Sequence, residues 1–583
     1  MLPGHSLHMP KASRETENAR RMSNLGEFDY VIVGAGSSGA VLANRLSADP
    51  ALRICLIEAG PRDHSPFIKI PLGVMKLTKD ARHNWLYTSA PQAGLDGRQI
   101  SIPRGKVLGG SSAINGMIYI RGHRADYDAW ADAGCTGWSY DEVLPFFRKS
   151  EDNRRAGIDS AMHGRGGELA VSDLRDANPV DHDFIAAAAQ LQLRNCPDFN
   201  IAEPEGVGIY QVTQKDGQRH STGLAFLQPI SGRRNLHILT GAEVLRVELM
   251  AGRASGVVLQ RAGQRETVTA RHEVILCAGA IGSPDILLRS GIGPAAQIAG
   301  FGGQVLHDLP GVGQNLQDHV DCMIICKSRS RTPYGISLPA LPRLALDGLN
   351  WVVSQRGMLA SNMVEAGGFV RSSPAEPRPD LQLHIIPGRK SHRGRMVEYG
   401  HGVSLHTCVL RPDSRGSVTR TSPMGAPVID LGLLHAEADL VRLLRGVKLA
   451  REILRQPALA RHGLSEIIPG DDVQDDEGLC AFIREHARTV YHPVGTCAMG
   501  KGSTAVVDPR LRVHGIRGLR VVDASIMPTI VSGNTNAPAI MIAEKAADMI
   551  LLDHKAVSAE PTLQTKGRAS VTTTTATHRE EIT

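Results

Sequence analysis

Phe28-Asp-Tyr-Val-Ile-Val33 runs into Gly34-Ala-Gly36-Ser-Ser-Gly39, and Arg53-Ile-Cys-Leu-Ile57 follows, closed by Glu58. The first run is β-branched and aromatic and stops at glycine, as a buried strand does on meeting a tight turn. Ser38 to Leu46 reads as a helix with Ala40, Val41, Ala43 and Leu46 free to pack. Strand, turn, helix, strand opens a parallel sheet with a right-handed crossover. The three glycines permit the turn, the approach of backbone to a pyrophosphate, and close helix–strand packing. The helix start at Ser38 offers free N–H groups to phosphate. Glu58, about 20 residues on, can accept ribose hydroxyls. Gly34, Gly36, Ser38, Gly39 and Glu58 therefore predict an adenine-dinucleotide site, with FAD and NAD not yet separated.

Working outward, 583 residues exceed what one core organises, since cores stop growing at roughly 250–300 residues. Two domains, or one elaborated two-part unit, are expected. The net charge of +6 is small for this length and its carriers are dispersed, so nucleic acid is not an implied partner. Nine scattered cysteines show no zinc spacing and read as reduced thiols in a reducing compartment. There is no run of 18 apolar residues, hence no predicted spanning helix. Residues 1–25 lack a signal-peptide centre and read as a disordered leader; whether residues 1–21 are translated at all stays open. Residues 556–583, rich in Thr, Ser and Ala, read as a disordered tail.

Further strands are predicted at Leu236–Leu239, Glu243–Glu248, Ala254–Leu259, Glu273–Cys277 and Leu519–Val522. Between about 320 and 480 the pattern changes. Asp380–Ile386 alternates, Gly402–Leu410 is a second β candidate, and Glu437–Leu454 is helical. This predicts an α+β layer inserted into an α/β domain. The expected division is a cofactor domain of 26–155, 205–318 and 485–555, and a substrate domain of 156–204 and 319–484.

Four more segments carry chemistry. Pro103-Arg-Gly-Lys-Val-Leu-Gly-Gly-Ser-Ser-Ala-Ile-Asn115 packs N–H and hydroxyl groups densely enough for an anion or a polar ring edge, or is a surface turn. Gly279-Ala-Ile-Gly-Ser-Pro284 reads as a Gly turn with Pro at a helix start, ending at Gly293. Tyr491-His492-Pro493 sets a histidine in extended backbone, although a lone histidine is more often structural than catalytic. Asp523 to Pro538 carries Asn534 and Asn536 before a helix over 539–551; plain N-capping competes with a helix dipole aimed at an electron-rich group.

In this order the five segments resemble the glucose–methanol–choline oxidoreductase family, from about Phe28 to Leu552, and within it the choline dehydrogenase and alcohol dehydrogenase branch. Gly105-Lys-Val-Leu-Gly-Gly-Ser-Ser-Ala-Ile-Asn115 is similar to one family signature and Gly279 to Gly293 to another. The resemblance implies an α/β, Rossmann-like FAD domain of the glutathione-reductase type. An interleaved α+β substrate domain would cover the flavin with an antiparallel sheet. It implies ADP contacts at Gly34, Gly36, Gly39 and Glu58, pyrophosphate and flavin contacts at Gly110, Ser111 and Asn115, and adenine at the Val244 backbone. Asp523 matches another FAD position, and Asn534 is grouped with it. His492 matches the catalytic histidine and Asn536 the second active-site position. Some members link FAD covalently through a histidine just before the position of Asn115; Ile114 stands here, so noncovalent FAD is expected.

The implied reaction is hydride loss from an alcohol carbon with His492 as base. Glu365, in Ser361-Asn-Met-Val-Glu, could hold a cationic head group or make a structural contact. Aromatics form 4% of the chain, too few to suggest a cage for choline, so an uncharged primary alcohol is favoured. Choline dehydrogenation, an oxygen-reducing alcohol oxidase and a noncatalytic flavin module are the alternatives. The acceptor is a quinone, a carrier protein or oxygen. No metal is expected. The expected location is cytoplasmic, with peripheral contact at the inner membrane left open.

Overall fold

The computed structural model describes residues 23–390 and 398–559. Its first sheet has seven strands and is built around the opening one, Ser23–Val33. That strand pairs in parallel with Ile54–Ile57 on one side and with Gln264–Leu276 on the other. Leu236–Leu239 adds in parallel beyond Ile54–Ile57. Leu519–Val521 returns from the far end of the chain to pair with Val274–Leu276. The antiparallel strands Ala242–Met250 and Arg253–Arg261 extend the sheet from the other half of Gln264–Leu276. Tyr30–Val33 and Ile54–Ile57 are buried, as continuous apolar runs in a parallel sheet must be. The helices Ser37–Leu46 and Asn536–Ala559 cover one face, joined where Ser38 Oγ donates to the Ala539 carbonyl (2.9 Å).

The second sheet has eight strands. Val320–Ser328 pairs antiparallel with Gly400–Val409, which leads through Leu381–Ile386 and Ala366–Val370 to Gly206–Ile209. Ser465–Ile468 and Arg488–Thr489 add to the other side of Val320–Ser328. The helix Glu437–Leu454 lies on this sheet with its backbone close in; a Cβ on Gly446 would stand 2.2 Å from Thr407 Cγ2. The two sheets have separate apolar cores, and the main cavity lies between them.

Three expectations change. The opening strand begins at Ser23, so the expected leader of 1–25 overlaps it, because Ser23 and Asn24 pair with Glu266 and Thr267; residues 1–22 and most of the expected tail lie outside the described residues. The expected boundaries at 205 and 485 fall too early. Gly206–Ile209 and Arg488–Thr489 complete the second sheet, being short strands whose edges are satisfied only there. Finally, the helix expected to start at Pro284 runs Gly279–Arg289, with Asp523 supplying the acceptor that its first turn needs.

Candidate active site

The site is a cavity of about 1590 Å³, larger than one small ligand needs, running between the two sheets. One end is lined by Glu243, Val244 and Gln260 of the antiparallel extension. The middle passes Gly34, Gly36, Ser38, Glu58, Gly110, Ser111 and Asn115. The other end reaches His492, Asn534, Asp321, His384 and His406.

The middle is shaped by absent side chains. Gly34 has φ +98°, and a Cβ there would stand 2.5 Å from the Cys277 carbonyl oxygen. Gly110 has φ +52° and packs on Gly36, where a Cβ would approach Gly36 Cα to 2.6 Å. Gly39 does not line the cavity; it lets the helix press on the turn, since a Cβ would meet the Gly34 oxygen at 1.9 Å. No side chain caps the helix that starts after Gly36, so its first-turn amides face the cavity with their partial positive charge. Gly279 (φ +78°) and Gly116 line the cavity with open space where a Cβ would stand. An elongated cavity, a bare helix start and a glycine-lined cradle fit a dinucleotide of the FAD kind.

Glu58 is buried and accepts from the amides of Ala35 (3.0 Å) and Gly60 (2.9 Å), while burial pushes its carboxyl up to about 7. Hydroxyl donors from a ribose would favour its charged form. Ser111 Oγ accepts from Gly105 N (3.1 Å). Asn115 Oδ1 accepts from Met117 N (3.1 Å) and from Arg219 Nη1 (2.8 Å). Ile114 is buried among Ile68, Leu77, Val107 and Ala113. Asp523 lines the cavity, yet its Oδ2 accepts from Gly279 N (2.8 Å) and Ser283 Oγ (2.5 Å). Its carboxylate thereby holds a helix start beside the cavity.

His492 is buried at the junction of the sheets. Its Nδ1 lies 3.0 Å from His319 Nδ1, and His319 Nε2 lies 3.0 Å from the Leu410 carbonyl. A carbonyl only accepts, so His319 carries its proton on Nε2 and its Nδ1 accepts from His492 Nδ1–H. The His492 Nε2 lone pair is left for Asn534 Nδ2, 3.2 Å away. The Asn534 amide is oriented in turn by Gln382, whose Nε2 donates to Asn534 Oδ1 (3.3 Å). Asp318 fixes the backbone: its Oδ1 accepts from His492 N (2.9 Å) and its Oδ2 from Thr489 Oγ1. Burial, then His319, His384 and Arg104, hold the His492 imidazole well below its ordinary pKa, and burial lowers His319 to about 4. Both rings are neutral near pH 7.

The two asparagines exchange their expected places. Asn534, grouped with the cofactor positions, meets His492, whereas Asn536, expected beside it, accepts from Ser37 Oγ (2.7 Å) at the paired helix starts. Two residues of slip at a loop-to-helix junction turn the side chain to another wall. Glu365 is withdrawn from the cavity: it accepts from Asn178 N (2.6 Å), Tyr334 OH (3.1 Å) and Ser361 Oγ, beside Asp181. Sequence reasoning missed His319, Asp318 and Gln382. The Gln317-Asp-His319-Val-Asp321 run was a cluster of polar residues before a strand, the one signal available. Asp321, paired through Oδ2 with His406 Nδ1 (2.8 Å), and the basic Lys390 and Arg488 also line this end.

Two family models described as GMC oxidoreductase match the chain, the N-terminal one over residues 28–321 and the C-terminal one over 412–543. The chain is 48% identical over 528 residues to an alcohol dehydrogenase [acceptor] of Pseudomonas putida, covering 90% of this chain and 96% of that protein. It is 41% identical to the mitochondrial choline dehydrogenase of Homo sapiens, with 94% of each chain covered. Among solved structures, pyridoxine 4-oxidase from Mesorbium loti superposes with a TM-score of 0.81 at 33% identity, covering 90% of this chain and 99% of that one. A fungal aryl-alcohol oxidase superposes at 0.79 and 26% identity, covering 91% and 99%.

Proposed function

This chain belongs to the GMC oxidoreductase family, and on that premise we propose that it is an FAD-dependent dehydrogenase oxidising an uncharged primary alcohol to an aldehyde. The observation that carries the reading is the unprotonated His492 Nε2, held beside Asn534 at one end of a dinucleotide-sized cavity. FAD, when bound, supplies the hydride acceptor for the carbinol carbon. Gly34, Gly36, Ser38, Glu58, Gly110, Ser111 and Asn115 would hold it, along a sheet we assign to the glutathione-reductase type. Ile114 offers no nucleophile, which supports noncovalent attachment.

His492 Nε2 accepts the hydroxyl proton. An alcohol is about as weak an acid as water, near 15.7. Against imidazole near 6.5 the gap of roughly 9 units corresponds to roughly 12 kcal/mol. Burial of His492 widens that gap, so no free alkoxide forms and the proton leaves as the C–H bond breaks. Asn534 Nδ2 can donate to the substrate oxygen as negative charge develops there. His319 keeps the lone pair of His492 on Nε2, which makes it a positioning residue.

The choice of a neutral alcohol over choline is supported by charge. Glu365 is occupied elsewhere. Lys390, lowered to about 8 chiefly by burial and then by Arg488, and Arg488 itself outnumber the Asp321 carboxylate at this end of the cavity, and Asp321 Oδ2 is already paired with His406, so a quaternary ammonium is disfavoured. The acceptor is a quinone, a carrier protein or oxygen. An anaerobic screen of alcohols for flavin bleaching tests the reading, followed by reoxidation with oxygen or a soluble quinone. Bleaching by primary alcohols ahead of choline is expected. A flavin that no alcohol bleaches would leave a noncatalytic module.

A further inference from the structure

Asn534 stands at the end of a turn, residues 529–535, that is neither helix nor strand. What holds this turn is one side of the helix Arg124–Asp132. Asp126 and Trp130, four residues apart and so on the same side of that helix, both reach it. Trp130 Nε1 donates to the Thr529 carbonyl (3.1 Å) and to Thr529 Oγ1 (3.0 Å). Asp126 Oδ2 accepts from Ser532 N (2.6 Å) and its Oδ1 from Ser532 Oγ (2.9 Å). Gly533, at φ +144°, lets the turn press against its neighbours; a Cβ there would stand 2.5 Å from Ile120 Cγ2.

Helix capping alone does not account for Asp126. As the third residue of its helix it accepts from His123 N (2.9 Å), which closes a capping box. That fills one of the roughly four acceptor sites of a carboxylate. Ser532 fills two more, and Arg378 Nη1 fills the last at 2.7 Å. Asp126 and Ser532 are both buried, and charge-assisted bonds of this kind are the strong ones. Arg378 stands just before Leu381–Ile386, the strand whose Gln382 donates to Asn534 Oδ1. One carboxylate therefore ties the turn that carries Asn534 to the strand that orients its amide.

We propose that Asp126 is a positioning residue of the site: it fixes Ser532 and, through it, the distance from Asn534 Nδ2 to His492 Nε2. This rests on the alcohol-oxidising reading, in which Asn534 donates to the substrate oxygen. Neither Asp126 nor Ser532 lines the cavity, so Asp126 acts only through the turn. Asp126→Asn keeps the shape but turns one oxygen into an NH2 group. In either orientation that group meets an N–H donor, from Ser532 and His123 on one side or from Arg378 on the other. The turn must then shift, and Asn534 shifts with it.

The test compares anaerobic flavin reduction by a primary alcohol in four FAD-loaded proteins: the parent, Asp126→Asn, Asn534→Ala and the double variant. Asp126→Asn should lower the limiting reduction rate by about tenfold at unchanged flavin content, the effect of a shift smaller than the ångström that costs about a hundredfold. In the Asn534→Ala background the same change should cost less than about twofold, because the amide it positions is gone. Asp126 also favours protonation of His319, and an effect by that route, or by general loosening, would persist in that background. Equal loss in both backgrounds therefore overturns the proposal, and so does an Asp126→Asn that reduces at the parent rate. Should Asp126→Asn not fold, Ser532→Ala removes the Oγ bond alone and should slow reduction by a smaller factor with the same dependence on Asn534. A crystal structure of FAD-loaded Asp126→Asn gives a readout without turnover. Asn534 Nδ2 should lie out of hydrogen-bond range of His492 Nε2, with His492 and the helix Arg124–Asp132 in place; an unmoved Asn534 overturns the proposal. A parent flavin that no alcohol bleaches counts against the alcohol-oxidising reading instead, and the structural comparison then decides the role of Asp126.

Discussion

At the residue scale, the proposed role of His492 as base rests on a chain of hydrogen bonds that leaves its Nε2 lone pair toward Asn534. His492→Ala should retain FAD yet slow anaerobic flavin reduction at least about a hundredfold, the lower range for a lost general base. Rapid mixing isolates that step; reduction at the parent rate with full FAD would remove His492 from the mechanism. The asparagines separate in the same assay. Asn534→Ala should slow reduction more than Asn536→Ala, because Asn534 meets His492 and Asn536 meets Ser37. His319→Phe removes the acceptor that fixes the ring, so the reduction rate at saturating alcohol should fall by about tenfold while KM and flavin content hold. The pH profile carries a sign. His492 is depressed below 6.5 and is reactive when unprotonated, so the acid limb of the reduction rate should appear only below pH 6.5. An acid limb centred above 6.5 would contradict the buried, neutral ring.

At the element scale, the glycine turn and the opening strand decide whether a cofactor site exists at all. Gly39→Ala places a Cβ 1.9 Å from the Gly34 oxygen, where backbone meets backbone and nothing can swing aside. The cost should be at least about 4 kcal/mol, seen as lost folded yield and lost FAD together. Normal FAD content in Gly39→Ala would mean that the helix can slide. Removing residues 1–21 should leave FAD content and Tm unchanged. Extending the deletion through Gly26 removes the Ser23–Glu266 and Asn24–Thr267 pairings, for about 1–2 kcal/mol and a measurably lower Tm. Equal Tm for the two truncations would show that those pairings contribute nothing.

At the scale of the whole molecule, the cavity has walls from both sheets, and its two ends differ in character. The dinucleotide end is backbone and glycine, while the His492 end is side chains from Val320–Ser328, Leu381–Ile386, Gly400–Val409 and the loops that close on them. With Ile114 packed in an apolar cluster, acid precipitation should release all flavin to the supernatant. Yellow, precipitated protein would mean a covalent link from some other side chain.

The sequence by itself determined the parts whose chemistry is local. Phe28 to Glu58 is strand, turn, helix and strand because β-branched runs, glycines and helical spacing act over a few residues. The family signatures located His492, the Gly110–Asn115 loop and Ile114 for the same reason. Tertiary structure alone decided what depends on distant segments. His319 meets His492 from 173 positions away, and Gln382 reaches Asn534 from 152. Which asparagine faces His492, and whether Glu365 faces the cavity or a backbone amide, follow from the rotation of a loop and a strand that no local pattern records. The helix Leu341–Ser354 carries Leu346, Leu349, Val352 and Val353 on one side, a pattern that reads as a buried side in the sequence, yet the fold leaves that side exposed. Spacing along the chain fixes periodicity, whereas the side of an element that is covered depends on what the rest of the chain packs against it.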